Sequence, residues 1–208
     1  MLYAAYASRT ENQDAIDSCV VNAIPDPAAA RTGIKLLDFK PFNPTDKRTE
    51  ITYTEDATGN MKRVTKGMTG IIIELCTRNK TEEIESQLEI DVEEFAARGL
   101  RALAVAYEDV PSGDKDAEGT GFELIGLLAI YDPPREDTKQ TIDDAQALGV
   151  KVKMVTGDQL AIAKETGRRL GLGDHVSILF TLSRSPPPSY VPSLETSLCP
   201  AVDRATES

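Results

Sequence analysis

The spacing of apolar positions changes several times along the chain. Over residues 4–24 they recur near helical spacing with no Gly or Pro, which predicts one long helix. Pro25-Asp26-Pro27 ends it, because proline lacks an amide donor and clashes with the preceding turn. Three strand-like runs follow at 33–42, 50–54 and 62–65. In the second, Ile51 and Tyr53 alternate with Thr52 and Thr54. Ala57-Thr58-Gly59-Asn60 carries hairpin turn chemistry between the second and third runs. Residues 69–76 read as a short apolar helix. Residues 81–98 read as a long acidic one, with Ile84, Leu88, Val92 and Phe95 on one face and Gly99 as its stop. Residues 100–107 alternate as a strand, and 110–120 form a Gly/Asp-rich loop.

Beyond residue 121 the pattern is different. Residues 122–130 are a continuous apolar run, as expected of a strand buried on both faces. Pro133-Pro134 stops it. A helix at 136–148 closes on Gly149, a second strand spans 150–155, and a second helix at 159–170 closes on Gly171. Strand–helix–strand–helix is the unit of a parallel, doubly wound sheet. The last segment, 176–208, has three consecutive prolines at 186–188 and no period, and is expected to be mostly disordered. No internal repeat is present. The expected class is thus α/β (α+β), divided at 1–120, 121–175 and 176–208.

Composition narrows the function. In 208 residues, 23 Lys and Arg stand against 34 Asp and Glu, a formal net charge of −11. That balance argues against nucleic acid as a partner and offers no basic patch to anionic lipid. The longest strongly apolar stretch, 122–131, is half of the roughly 20 residues a spanning helix needs. The N-terminus has no basic stretch followed by an apolar one, so no signal peptide is expected. Cys19, Cys76 and Cys199 are few and far apart, which disfavours a disulfide framework or zinc cluster and fits a reducing compartment. The single histidine, His175, excludes a His-rich metal site.

Three places carry candidate chemistry. Thr156-Gly157-Asp158 stands where a strand meets a helix. There a hydroxyl, a close-approaching backbone and a helix N-terminus can hold a phosphoryl group. On its own the tripeptide is as simply read as a helix cap. Asp132-Pro133-Pro134-Arg135 ends the other buried strand, and alone reads as a rigid turn with a charge pair. In the first block, Phe42, Lys47, Lys66-Gly67 and Arg101 offer one ring for a purine and cations for a polyphosphate.

Read together and in order, these segments resemble the cytoplasmic catalytic region of P-type ATPases, most closely the plasma-membrane proton pumps of fungi and plants. The matching stretches are ASRTENQDAID (7–17), PFNPTDKRTEITY (41–53), RVTKG (63–67), RGLRALAVA (98–106), LIGLLAIYDPPRED (124–137) and GVKVKMVTGDQLAIAKETGRRLGLGD (149–174). The resemblance implies that 1–120 is an antiparallel-sheet nucleotide-binding domain. It implies that 121–175 is part of a haloacid-dehalogenase-like (Rossmann-like) phosphorylation domain. It also assigns roles. Phe42 stacks on adenine and Asp14 lies near the adenine edge. Lys47, Lys66 and Gly67 line the nucleotide pocket, and Arg101 reaches the phosphates. Asp132 and Arg135 form the hinge motif. Thr156 holds the transferred phosphoryl group, with Gly157 beside it, and Asp158 links hinge and ribose. The implied ligand is ATP, with Mg²⁺ in the parent family.

The family's Asp-Lys-Thr-Gly-Thr acceptor and Gly-Asp-Gly-x-Asn-Asp motifs are absent, and Lys66-Gly67-Met68 replaces the more usual Lys-Gly-Ala. The expectation is therefore an ATP-binding piece of a proton pump. Its parent is an integral membrane protein that hydrolyses ATP through an aspartyl-phosphate. The piece itself is expected in the cytoplasm, with binding but no transport. A stand-alone nucleotide-binding module, a truncated product without function and a dehalogenase-like phosphatase are the alternatives.

Overall fold

The computed structural model describes residues 1–176. The expected long N-terminal helix is broken in two: α1 (Leu2–Tyr6) and α2 (Ala15–Asn22). No Gly or Pro causes the break. Polar side chains between the halves compete for the backbone instead. The Ser8 hydroxyl donates to the Ala4 carbonyl at 2.9 Å, and Asp14 caps α2 by accepting from the Asp17 amide at 2.7 Å. Pro25-Asp26-Pro27 ends α2 and also starts α3 (Pro27–Ala30), with Asp26 as its cap at 2.9 Å from the Ala29 amide.

The strands are β1 (Ile34–Lys40), β2 (Arg48–Glu55), β3 (Met61–Met68), β4 (Arg101–Asp109) and β5 (Glu123–Ile130). They form one antiparallel sheet in the order β1-β2-β3-β4-β5. The β2–β3 hairpin turns where expected. Gly59 sits there at φ 69°, a conformation glycine adopts without a Cβ penalty. Between β3 and β4 lie α4 (Thr69–Leu75) and α5 (Glu82–Ala97). Thr81 caps α5, accepting from the Ile84 amide at 3.2 Å, and Glu82, Glu83 and Glu85 sit at the positive end of the helix.

Two cores follow from the alternation of the strands. On one face Ile51, Tyr53, Val64 and Val105 pack against Ala4–Ala7 and Val20 of the N-terminal segment. On the other, Ala104, Ala106 and Phe122 pack against Ile72, Ile73 and Leu88. The 110–120 loop is tied down on the second face, where Arg63 donates to the carbonyls of Lys115 at 2.9 Å and Ala117 at 3.1 Å.

The second block differs from the sequence reading. The apolar run at 122–130 is not a parallel strand of a separate sheet. As β5 it pairs antiparallel with β4 and forms one edge of the first sheet, with a register irregularity at Val105/Ala106 opposite Gly126. Residues 150–155 form no strand. No strand pairs with them, and Leu148 before the segment and Val155 at its end are each 83% exposed. The two expected helices are present as α6 (Thr138–Ala147) and α7 (Leu160–Arg169). The expected strand–helix–strand–helix unit is therefore not formed. The expectation for the 176–208 tail, and Cys199 within it, lies almost wholly outside the described residues. Among those described, no helix is long and apolar enough to cross a membrane.

Candidate functional site at one end of the sheet

Register places most of the expected site residues at one end of the sheet. Arg48 pairs with Gly67, Gly67 with Ala104, and Arg101 with Ile130. The end of β1, the start of β2, the end of β3, the start of β4 and the end of β5 thus lie together. Phe42 and Lys47 follow β1 there, Gly67 ends β3, Arg101 begins β4 and Asp132 follows β5.

The 43–47 turn is built by Asn43. Its side-chain oxygen accepts from the amides of Thr45 at 2.7 Å and Asp46 at 2.8 Å, and its carbonyl accepts from the Lys47 amide at 2.9 Å. Lys47 takes a left-handed φ of 51°, and its carbonyl accepts from the Met68 amide at 3.1 Å. The turn therefore presses on β3. A Cβ on Gly67 would lie 2.5 Å from the Lys47 carbonyl oxygen and 2.6 Å from the Arg48 Cβ. Only glycine allows that approach. Beside this corner the Phe42 ring is 55% exposed and takes no part in either core.

Lys66 is placed differently from its neighbours. Its side chain and that of Asp17 are each 3% exposed, and its ammonium donates to the Asp17 carboxylate and the Ser8 hydroxyl. Burial pushes the amine below the ordinary lysine value, and the hydrogen bond it donates to Asp17 opposes that shift. Asp14, expected near the adenine edge, is exposed and serves as the α2 cap. Asp17 and Ser8 were not singled out in the sequence. The available sign was an aspartate between Ile16 and Val20, on the apolar face of a short helix.

A second group surrounds Arg101. Its guanidinium lies 2.8 Å from the Asp158 carboxylate and 3.7 Å from that of Asp132. The Thr156 hydroxyl donates to the other Asp158 oxygen at 3.0 Å and accepts from the Asp158 amide at 3.1 Å. Asp158 is therefore not the cap of α7. That position is Gln159, which makes no side-chain cap bond. Gly157 has open space around it. The cleft here has a volume of about 210 Å³, with Tyr131, Thr166 and Arg169 also on its walls. Arg135 is not drawn in; it stays exposed, 3.6 Å from Asp137.

Asp132 and Asp158 both face Arg101. Among the described residues, no three His, Cys, Asp or Glu side chains converge as metal ligands. The donor set, with the Arg101 guanidinium between the two carboxylates, does not fit a resident Mg²⁺.

The five-stranded antiparallel sheet, with helices on both faces, thus carries a ring and cations at one end. The family model for the P-type ATPase cytoplasmic domain N matches residues 15–137, from α2 through β5 to the residue before α6. The chain belongs to this family, as a nucleotide-binding piece of a P-type ATPase. The matched range holds Phe42, Lys47, Lys66, Gly67, Arg101, Asp132 and Arg135.

Proposed function

We propose that this chain binds ATP at the site end of the sheet, and that its parent is a proton-exporting P-type ATPase of the plasma membrane. The observation that carries the ATP reading is Phe42, exposed beside the rigid Lys47–Gly67 corner. A purine stacks on that ring, and the phosphates run toward Lys47 and Arg101. Asp14 stands by the adenine edge, and Asp132 and Arg135 mark the hinge. Thr156, Gly157 and Asp158 meet the terminal phosphoryl group, with Mg²⁺ arriving on the nucleotide. Residues 138–175, beyond the sheet and the matched range, supply part of the phosphorylation domain. The proton-pump assignment is supported by the likeness of PFNPTDKRTEITY and TGDQLAIAKETGRRLGLG to such pumps.

Phosphoryl transfer needs a nucleophile in line with the γ-phosphate. The Asp-Lys-Thr-Gly-Thr acceptor is not among these 208 residues. Binding without turnover is the expected activity of the isolated chain, on the cytoplasmic side. ATP titration followed by backbone amide NMR shifts tests this. Saturable shifts are expected at the amides of Phe42, Asn43, Thr45, Asp46, Lys47 and Met68. Phe42→Ala should weaken binding by the worth of one stacked base, about 1–3 kcal/mol. A folded chain whose amides do not move with ATP overturns the reading.

A further inference from the structure

Helix α5 carries seven acidic side chains and no Lys or Arg. Glu85, Glu89 and Glu93 are spaced four apart, so they form one ridge about 12 Å long on the helix. Beside that ridge Leu88 and Val92 face Ile73 of α4. Ile73 and Leu88 are each 8% exposed and belong to the second core. Between the two helices these residues floor a groove of about 280 Å³, with the glutamates along one wall and Thr69 and Gly70 on the other. A Cβ on Gly70 would meet nothing within 4 Å, so this second wall is low and the groove stays open. Glu85 has Lys80 at 3.0 Å, but among the described residues no cation pairs with Glu89 or Glu93. Like charges one turn apart repel and weaken a helix. A cation brought across the ridge relieves that repulsion. None of the residues assigned to the nucleotide lines this groove.

We propose that the groove between α4 and α5 is a docking surface for a basic amphipathic helix of a protein partner. Apolar side chains of that helix, at spacings of three and four, enter the floor over Ile73, Leu88 and Val92. Lys or Arg beside them meets Glu89 and Glu93. The ridge matches about two turns of such a helix. Charge complementarity selects the occupant. An acidic segment or an anionic membrane surface is repelled by the ridge, and two copies of this chain meeting through α5 would set one ridge of carboxylates against another.

The probe is a synthetic peptide of about 14 residues, with leucines on one helical face and lysines on the other. Titrated into the ¹⁵N-labelled chain, it is expected to bind one to one and to shift the amides of Thr69, Gly70, Ile73, Leu88 and Val92. Added salt weakens the binding. Gly70→Leu places a side chain in the open groove and should lower affinity roughly tenfold. Glu89→Gln combined with Glu93→Gln should lower it by a similar factor, roughly tenfold. Unchanged amide shifts in β2–β4 confirm that each variant is folded. If a variant does not fold, the unaltered chain decides through two further peptides. One has lysines only, and the other has glutamates in place of the lysines. Binding at the groove residues by the leucine–lysine peptide alone is the expected result. Equal binding of the lysine-only peptide, or shifts scattered over the acidic surface, means unspecific charge attraction and overturns the proposal. Equal binding of the glutamate peptide removes the charge selection and also overturns it. So does an absence of binding, or an affinity that a folded Gly70→Leu chain keeps. Self-association of the chain that Gly70→Leu abolishes would make the groove an interface between copies and overturn the proposed partner.

Discussion

Tyr53 shows how much depends on whether a buried polar atom finds a partner. Its side chain is fully buried, with its ring edge-on to Tyr6 at 5.2 Å. Its hydroxyl accepts from and donates to no described protein group, and burial drives its pKa well above the ordinary tyrosine value. Lys66, buried as deeply, has partners for its charge. The contrast predicts opposite outcomes. Tyr53→Phe removes an unpaired polar atom while keeping the ring, so it should be neutral or stabilising by up to about 1 kcal/mol. Denaturant unfolding reads this directly. A loss of well over 1 kcal/mol would mean that the hydroxyl has a partner in solution.

At the scale of elements, α7 is held by a charged tether rather than by a strand pairing. Glu165 accepts from Arg168 at 2.8 Å and from Arg169 at 2.6 Å. Arg169 in turn donates to the Tyr131 hydroxyl at 2.7 Å and to the Arg98 carbonyl at 2.9 Å. The hydrogen bonds from Arg168, then Arg169, pull the Glu165 carboxyl down to about 2. A carboxyl whose folded value is depressed stabilises above its unfolded value, near about 4.3, and loses that contribution as pH falls toward about 2. Amide exchange across α7 should therefore be independent of this group at neutral pH and quicken only in that acidic window. Glu165→Gln should bring the same loosening to neutral pH and leave β2–β4 unchanged. Loosening of unaltered α7 between neutrality and mild acid would rule out the tether.

The whole molecule is organised around the sheet, which takes in β5 and is covered by helices on both faces. Residues beyond Asp137 are outside the matched family range and outside the sheet. There Leu148 and Val155 face solvent, and 150–155 runs without a pairing neighbour. Local opening draws on segments with few buried contacts. Native-state hydrogen exchange should therefore release α6 and α7 well before β2, β3 and β4. Equal protection in both regions would refute that order.

Several features were legible in the linear pattern because a few adjacent residues encode them. The acidic stripe and Thr81 cap specify α5, and Ala57-Thr58-Gly59-Asn60 specifies the hairpin. The gathering of Phe42, Lys47, Gly67 and Arg101 was expected through the motif order, and register places them at one end of the sheet. Other features needed the folded chain. A continuous apolar run states that 122–130 is buried but not which strand it pairs with, so its place as an antiparallel edge strand was decided by β4. Helical spacing over 4–24 could not show that Ser8 and Asp14 would take backbone groups for themselves. The partner of Lys66 lies 49 residues away in α2. Periodicity and caps act over one or two turns of chain. Strand partners and buried charge pairs are chosen by what the fold brings within reach.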